Sequence, residues 1–123
     1  MKIARYVYNI LAISFLLCLV VQAFIAGLAV FTDAVYWGSH TEFVRYFAFM
    51  PLVMFLLTFI AKIGGVQRWL SLGMFGAVIF QFLNIQALPS AAVLHPVIAL
   101  ILFAMSFIVV RNTAWRGTRG EIG

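Results

Sequence analysis

The uncharged stretch VYNILAISFLLCLVVQAFIAGLAV, which runs from Val7 to Val30, decides the fold of this chain. A helix needs about 20 mostly apolar residues to cross the hydrocarbon core of a bilayer, and this stretch is longer. The rest of the chain is similar, because 66% of the 123 residues are hydrophobic and only 9% are charged. Soluble domains are about half apolar and one quarter charged, so the expected surroundings of this chain are lipid.

Three further apolar stretches follow the first. We predict helical spans over residues 7–30, 43–61, 69–88 and 91–110. Glycine, proline or charged residues separate these spans, and the connections are short. Because short connections join neighbouring antiparallel helices, the sequence predicts an all-α integral membrane protein. Its architecture is a four-helix up-down-up-down bundle that forms a single domain over residues 1–123.

Three features inside the spans predict how the helices pack. Pro51 lies within the second span and is expected to kink it, because proline has no amide hydrogen to donate. Gly73 with Ala77, and Ala23 with Gly27, place small residues four apart on one helical face. Such pairs are typical of helices that approach closely in membranes.

The basic residues lie almost entirely at one end of the predicted bundle. Only Arg45 is at the opposite end, whereas the other basic residues are Lys2, Arg5, Lys62, Arg68, Arg111, Arg116 and Arg119. Because cytoplasmic loops keep the positive charges, we predict that both termini lie in the cytoplasm. The membrane also explains the net charge of +5, so no nucleic-acid partner is expected.

Polar side chains within the spans are the candidate functional residues, because lipid excludes them unless they have a role. Gln22 lies in the first span, Arg45 in the second, and Gln81 and Asn84 on one face of the third, all toward the outer side. These groups either hold helices together through hydrogen bonds or line a cavity for a bound group. The inner half is expected to hold few polar residues beyond Asn9, Ser14, Thr58 and Ser71.

The two histidines are the most specific feature of the sequence. His40 is near the start of the second span and His95 near the start of the fourth, both on the outer side. The second and fourth helices of such a bundle run in the same direction and face each other across the diagonal. Two imidazoles at matched depth are therefore expected to reach one haem iron from opposite faces, as metal ligands. Arg45 would then pair with the haem propionates.

The alternative is that both histidines lie at the membrane interface without a ligand. Ser39 and Glu42 resemble a capping box, which would place His40 in the first helical turn, too shallow to reach a buried iron. Arg45 equally fits a salt bridge with Asp33 or Glu42. The residues themselves leave these alternatives open.

The layout of His40 and the segment Leu94-His95-Pro96-Val97 resembles an uncharacterised family of small bacterial four-helix membrane proteins. It also resembles one four-helix half of heme A synthase, whose halves each carry a histidine on the second and fourth helices. The resemblance implies that His40 and His95 are the axial ligands of one haem b, and that the protein lies in the inner membrane of a bacterium. No glutamate closely precedes His40, and Thr41 follows it where that family has arginine. The resemblance therefore implies haem binding rather than the reaction of that enzyme.

Two function hypotheses follow from these features. The first is a small b-type cytochrome that transfers electrons between a membrane quinone and an outer-side redox partner. The second is a haem-free accessory subunit, whose outer polar pocket holds a quinone, a lipid or a partner helix. A proton- or cation-coupled transporter is disfavoured, because no span carries an acidic residue at mid-membrane. Whether the chain catalyses a reaction, and whether it forms a homo-oligomer, is left open by the sequence.

Overall fold

The computed structural model describes residues 2–87 and 89–118, and every regular element in these ranges is a helix. Four helical segments are long and apolar enough to cross a membrane: Lys2–Phe31, Tyr36–Ile60, Val66–Gln86 and Ser90–Ala114. The prediction of an all-α membrane protein with four spans is confirmed.

Five α-helices build the four spans. They are α1 (Lys2–Phe31), α2 (Tyr36–Phe47), α3 (Met50–Ile60), α4 (Val66–Gln86) and α5 (His95–Thr118). Helices α2 and α3 together make the second span, and a 3₁₀ helix at Pro89–Leu94 leads into α5. Helix α1 contacts α2, α3 and α5, while α4 contacts α3 and α5. The spans therefore form a closed ring in chain order, in which the second and fourth lie diagonally opposite.

The interior of this ring is packed with large apolar side chains from each span. Phe15 of α1, Phe47 of α2, Met54 of α3 and Met74 of α4 are almost completely buried. By contrast, many apolar side chains on the outer surface are exposed, such as Leu100, which is 72% exposed. Exposed apolar surface on every span is expected where lipid is the solvent.

Pro51 interrupts the second span, as predicted. Helix α2 ends at Phe47 and α3 begins at Met50, with Pro51 in the first turn of α3. Because residue 51 has no amide hydrogen, the Phe47 carbonyl cannot receive the usual helical hydrogen bond. The break therefore falls about halfway along the span, where it changes the surface that the span presents to α4.

All four predicted helix starts come later than those of the structure, two of them by five residues or more. The first span begins at Lys2 rather than residue 7, and the second begins at Tyr36 rather than residue 43. Polar residues lowered the apolar signal there, but a helix needs only its backbone hydrogen bonds to continue. His40 consequently lies inside α2, and the predicted capping box is wrong because the helix starts before Ser39.

The predicted end of the third span and two of the predicted basic residues involve parts of the chain that the structure does not describe. Leu88, the predicted end of the third span, and Arg119 both lie outside the described residues. The side chain of Arg116 also lies outside them. The predicted ends at Val30 and Val110 fall within the helices of the structure, whereas the predicted end at Ala61 lies one residue beyond α3.

We call the end of the bundle that carries His40 and His95 the histidine end, and the opposite end, at residues 61–65, the basic end. Arginines close the turn at the basic end. Arg5 Nε donates a hydrogen bond to the Ala61 carbonyl at 2.9 Å, and Arg68 Nη2 donates to the Ile63 carbonyl at 3.2 Å. These bonds satisfy carbonyl groups that lie beyond the end of α3. The basic residues thus stabilise the turn as well as adding charge.

A buried polar cluster also lies at the basic end. The Tyr8 hydroxyl is 2.8 Å from Ser71 Oγ, Gln67 Nε2 donates to the Val109 carbonyl at 3.2 Å, and Asn112 Nδ2 donates to Gln67 Oε1 at 3.1 Å. The expectation of few polar groups in this half is therefore wrong. The predicted spans leave Gln67 in the connection before the third span and Asn112 beyond the end of the fourth. In the structure, Gln67 lies within α4 and Asn112 within α5.

One of the two small-residue pairs contacts another helix. A Cβ atom added to Gly73 would lie 2.7 Å from Met105 Cε of α5, so the end of the Met105 side chain occupies the space beside Gly73. A Cβ atom added to Gly27 would meet no atom within 4 Å, so the prediction that another helix approaches closely at Gly27 is wrong.

Candidate functional site

The structure brings His40 and His95 together at the histidine end. His40 is on α2 and His95 is the first residue of α5, so they come from diagonally opposite spans. Their ring centres are 6.3 Å apart, and the ring planes are inclined by 57°. Both residues are half-buried. The sequence predicted this juxtaposition from the matched depth of the two residues.

Gln22 connects α1 to the first of these histidines through two hydrogen bonds. Its side chain Nε2 donates to the His40 carbonyl at 2.8 Å. In return, His40 Nδ1 lies 3.2 Å from the Gln22 carbonyl oxygen. A carbonyl oxygen only accepts, so this contact requires the hydrogen of His40 to be on Nδ1. The bond fixes the tautomer of the ring and leaves Nε2 as its available nitrogen.

Gln81 and Asn84 connect α4 to the second histidine in a similar way. Gln81 Nε2 donates to the His95 carbonyl at 2.9 Å, as Gln22 does to His40. Asn84 Oδ1 lies 3.5 Å from His95 Nδ1, at the long limit of a hydrogen bond. As with His40, the ring nitrogen that meets an oxygen is Nδ1. All four candidate spans therefore contribute a polar side chain to one place.

Three buried amide atoms at this site have no hydrogen-bond partner among the residues that the structure describes: Gln22 Oε1, Gln81 Oε1 and Asn84 Nδ2. Asn84 is completely buried. Burying an amide atom without a partner costs about 1–3 kcal/mol, and stable interiors avoid it. The site is therefore incomplete in its hydrogen bonding, in contrast to the cluster around Gln67 at the basic end, whose amide groups are paired.

Arg45 does not join the histidines. Its Nη1 lies 3.3 Å from Glu42 Oε2 on the same helix, and its side chain is 65% exposed. Of the two alternatives for Arg45, the ion pair with Glu42 is thus the one observed. Trp37, which was not among the predicted site residues, packs its ring edge-on against His40 with centres 5.6 Å apart. Trp37 and His40 are three residues apart on one helix, and this spacing is the sequence signal that predicts contact between their side chains.

The histidine pair has the separation expected for two ligands of one metal ion. Opposed imidazoles on one metal have ring centres about 6 Å apart, since each metal–nitrogen bond is about 2 Å and each nitrogen is about 1 Å from its ring centre. Ordinary packing of two rings covers about 4.5–7 Å, so the separation alone does not distinguish the two cases. The Nδ1 atom of each ring lies against an oxygen, an arrangement that is also usual around metal-bound histidine.

Buried apolar side chains in the middle of the bundle separate the histidine site from the basic end. Phe15, Phe47, Met54 and Met74 fill the middle of the bundle and are almost completely buried. The polar groups around His40 are therefore separated from the polar cluster at the basic end by apolar side chains.

Comparison with known proteins gives a family for the segment that holds most of this site. Residues 22–87 match a family described as a family of unknown function, DUF6220. The matched segment includes Gln22, His40, Gln81 and Asn84 and ends before His95. No curated protein and no solved structure matches the chain. These comparisons give no support to the resemblance to heme A synthase, and nothing in them conflicts with it.

Proposed function

The chain belongs to the DUF6220 family of unknown function, and from its site we propose that it is a membrane b-type cytochrome that binds one haem through His40 and His95. One observation carries the proposal. The two rings lie 6.3 Å apart at the end of a membrane bundle, with Nδ1 of each against an oxygen and Nε2 of each left to bind a metal.

The number of ligands favours haem over a metal ion bound by the protein alone. Within the described residues, no group of three or more His, Cys, Asp and Glu side chains is placed to hold a metal ion. A structural zinc site needs four protein ligands and a catalytic one needs three. A haem needs only the axial ligands from the protein, because the porphyrin nitrogens supply the others. Two histidines are sufficient for that group.

The unpartnered amide atoms also support a bound group. Gln22 Oε1, Gln81 Oε1 and Asn84 Nδ2 are buried beside the histidines and have no partner among the described residues. Natural proteins tolerate such violations mainly where function requires them. A bound group, with the ordered water around it, would supply the missing partners.

The chain's own residues have separate roles in this proposal. Bound haem supplies reversible one-electron transfer. His40 and His95 hold it, while the Gln22 carbonyl and Asn84 Oδ1 keep each ring in the tautomer that exposes Nε2. Phe15 and Phe47 close the site toward the middle of the membrane. Electrons would be exchanged at the histidine end, with a membrane quinone or a redox partner there.

The proposal is tested by an absorption spectrum of the detergent-purified chain, oxidised and then reduced with dithionite. We expect a Soret band, sharp α and β bands after reduction, and close to one haem per chain. His40→Ala and His95→Ala should each lose haem, because one axial ligand is gone. Thr41→Ala is the matched control, since Thr41 is next to His40 but its hydroxyl bonds only the Trp37 carbonyl of its own helix. Normal haem spectra in both histidine variants would rule out the assignment.

A haem-free pocket for a small organic ligand is the second candidate, favoured by the chemistry of the three unpartnered atoms. Two of them, Gln22 Oε1 and Gln81 Oε1, accept hydrogen bonds, and Asn84 Nδ2 donates one. A quinone and its reduced quinol form present carbonyl acceptors and hydroxyl donors of this kind. A featureless spectrum that stays unchanged after haem is added, together with saturable binding of a quinone, would select this candidate over the first.

A further inference from the structure

A groove of about 360 Å³ opens on the side of the bundle, between the second and third spans. We call it the lateral groove, and its lining includes Arg45, Ala48, Phe49, Phe75, Ile79 and Phe82. Ligand pockets commonly have volumes of about 300–1,000 Å³ and apolar, partly aromatic walls with few polar groups. The lateral groove meets this description, with three phenylalanine rings and one charged side chain. It does not include either histidine.

The lateral groove lies beside the proline break. Ala48 and Phe49, the two residues between α2 and α3, are both in its lining. Ala48 is buried and forms part of the wall, whereas Phe49 is 62% exposed and packs against Phe75 of α4, with ring centres 6.0 Å apart.

The lateral groove has the depth of one leaflet of a bilayer. Along α4 it extends from Phe75, near the middle of the helix, to Leu83, near the histidine end. At about 1.5 Å per residue these positions are about 12 Å apart, close to half of the ~30 Å hydrocarbon core. The single charged residue of the lining, Arg45, lies one turn before the break in the second span, on the side of the histidine end. An occupant therefore meets one cation among apolar walls.

We propose that the lateral groove binds an anionic phospholipid from the leaflet at the histidine end. The phosphate pairs with Arg45, and one acyl chain lies against Phe49, Phe75 and Phe82. The contact of Arg45 with Glu42 uses Nη1, and a guanidinium carries five N–H donors, so a phosphate can share it. The site is open to the membrane through the exposed side chains of Phe49 and Leu83, so a lipid enters without crossing water.

Native mass spectrometry of the full chain in detergent tests this proposal. The added probes are dioleoyl phosphatidylglycerol, dioleoyl phosphatidylcholine and oleate, in competition. We expect one phosphatidylglycerol per chain, retained about fivefold over phosphatidylcholine because of the single arginine. Arg45→Gln should abolish the preference, and Ile79→Phe should reduce the retention of both phospholipids by filling the groove. Leu100→Phe, on the exposed face of α5, is the control and should change neither.

Other outcomes overturn the proposal. Equal retention of the two phospholipids by the native chain, or an unchanged preference in Arg45→Gln, would show that Arg45 recognises no headgroup. Tighter retention of oleate than of phosphatidylglycerol would replace the phospholipid with a fatty acid. His40→Ala separates this inference from the haem proposal, because the groove contains neither histidine and the lipid preference should survive in that variant.

Discussion

Asn84 illustrates how a single residue at the site differs from a residue of the same type elsewhere in the bundle. Its Oδ1 faces His95 Nδ1, but its Nδ2 is buried without a partner. Asn112, at the basic end, donates its Nδ2 to Gln67 Oε1 and is satisfied. The two asparagines have the same chemistry and opposite hydrogen-bond states. A residue kept in an unfavourable state in the free protein is expected to contribute to binding rather than to stability.

The pair of asparagines gives a matched test. Asn84→Leu removes an unpartnered buried group, so we expect no decrease in the thermal stability of the haem-free protein. It also removes the acceptor at His95, so the affinity for haem should fall about 10–100-fold. Asn112→Leu should do the reverse, lowering stability and leaving haem affinity unchanged. The checks are thermal unfolding in detergent and haem titration. A loss of stability without a loss of affinity in Asn84→Leu would mean that Asn84 is structural.

Residues at the histidine end were largely predictable because a membrane makes polar side chains conspicuous. Gln22, Gln81, Asn84 and both histidines were selected on that ground, and the structure brings them together. Arg45 was selected on the same ground but turns toward Glu42 and the lateral groove. The residue type alone does not tell which face of a helix is directed inward. That His40 and His95 are metal ligands stays a prediction.

At the scale of the elements, the proline break and the helix ends determine what the bundle presents. Pro51 was recognisable because proline cannot donate a backbone hydrogen bond, and the break follows directly. The start of the second span was not recognisable, because Gly38, Ser39 and Thr41 look like loop residues by composition. The surrounding packing overrides such weak local preferences. The consequence is that His40 is held inside a helix rather than in a loop.

Close packing of α4 against α5 provides a prediction at this scale. Gly73→Leu should lower the free energy of unfolding by about 1–3 kcal/mol, because its Cβ alone would meet Met105 Cε at 2.7 Å. Gly76→Leu is the control on the same helix, one turn further, where a Cβ would meet no atom within 4 Å. Thermal unfolding of both variants in detergent is the measurement. Equal stability of the two would show that α4 and α5 are not packed at Gly73 as described.

At the scale of the whole molecule, the protein is a bundle with two different polar ends. The basic end has paired amides and arginine-capped carbonyls, whereas the histidine end has two rings and three unpartnered amide atoms. Apolar side chains from all four spans separate the two ends. Fold class and span number were predictable because hydropathy reports on lipid contact. The buried polar cluster around Gln67 at the basic end was not predictable, because it forms where α4 and α5 continue beyond their apolar segments.

The orientation of these ends in the membrane is a prediction that can be tested on intact cells. In a Cys18→Ala background, Gly38→Cys at the histidine end should react with a membrane-impermeant maleimide added outside. Gly64→Cys at the basic end should react only after the membrane is permeabilised, because the basic residues keep that end in the cytoplasm. Both glycines have room for a side chain, since a Cβ at either meets no atom within 4 Å. The reverse labelling pattern would place the histidines on the cytoplasmic side.

The most direct test of the central claim, that His40 and His95 together hold one haem iron, is low-temperature electron paramagnetic resonance of the oxidised, haem-loaded protein. We predict the low-spin ferric signal of iron held by two imidazoles, at close to one spin per chain. His95→Ala and His40→Ala should each convert that signal to high spin or lose the haem. An unchanged low-spin signal in both variants, or a native chain that takes up no haem, would contradict the claim.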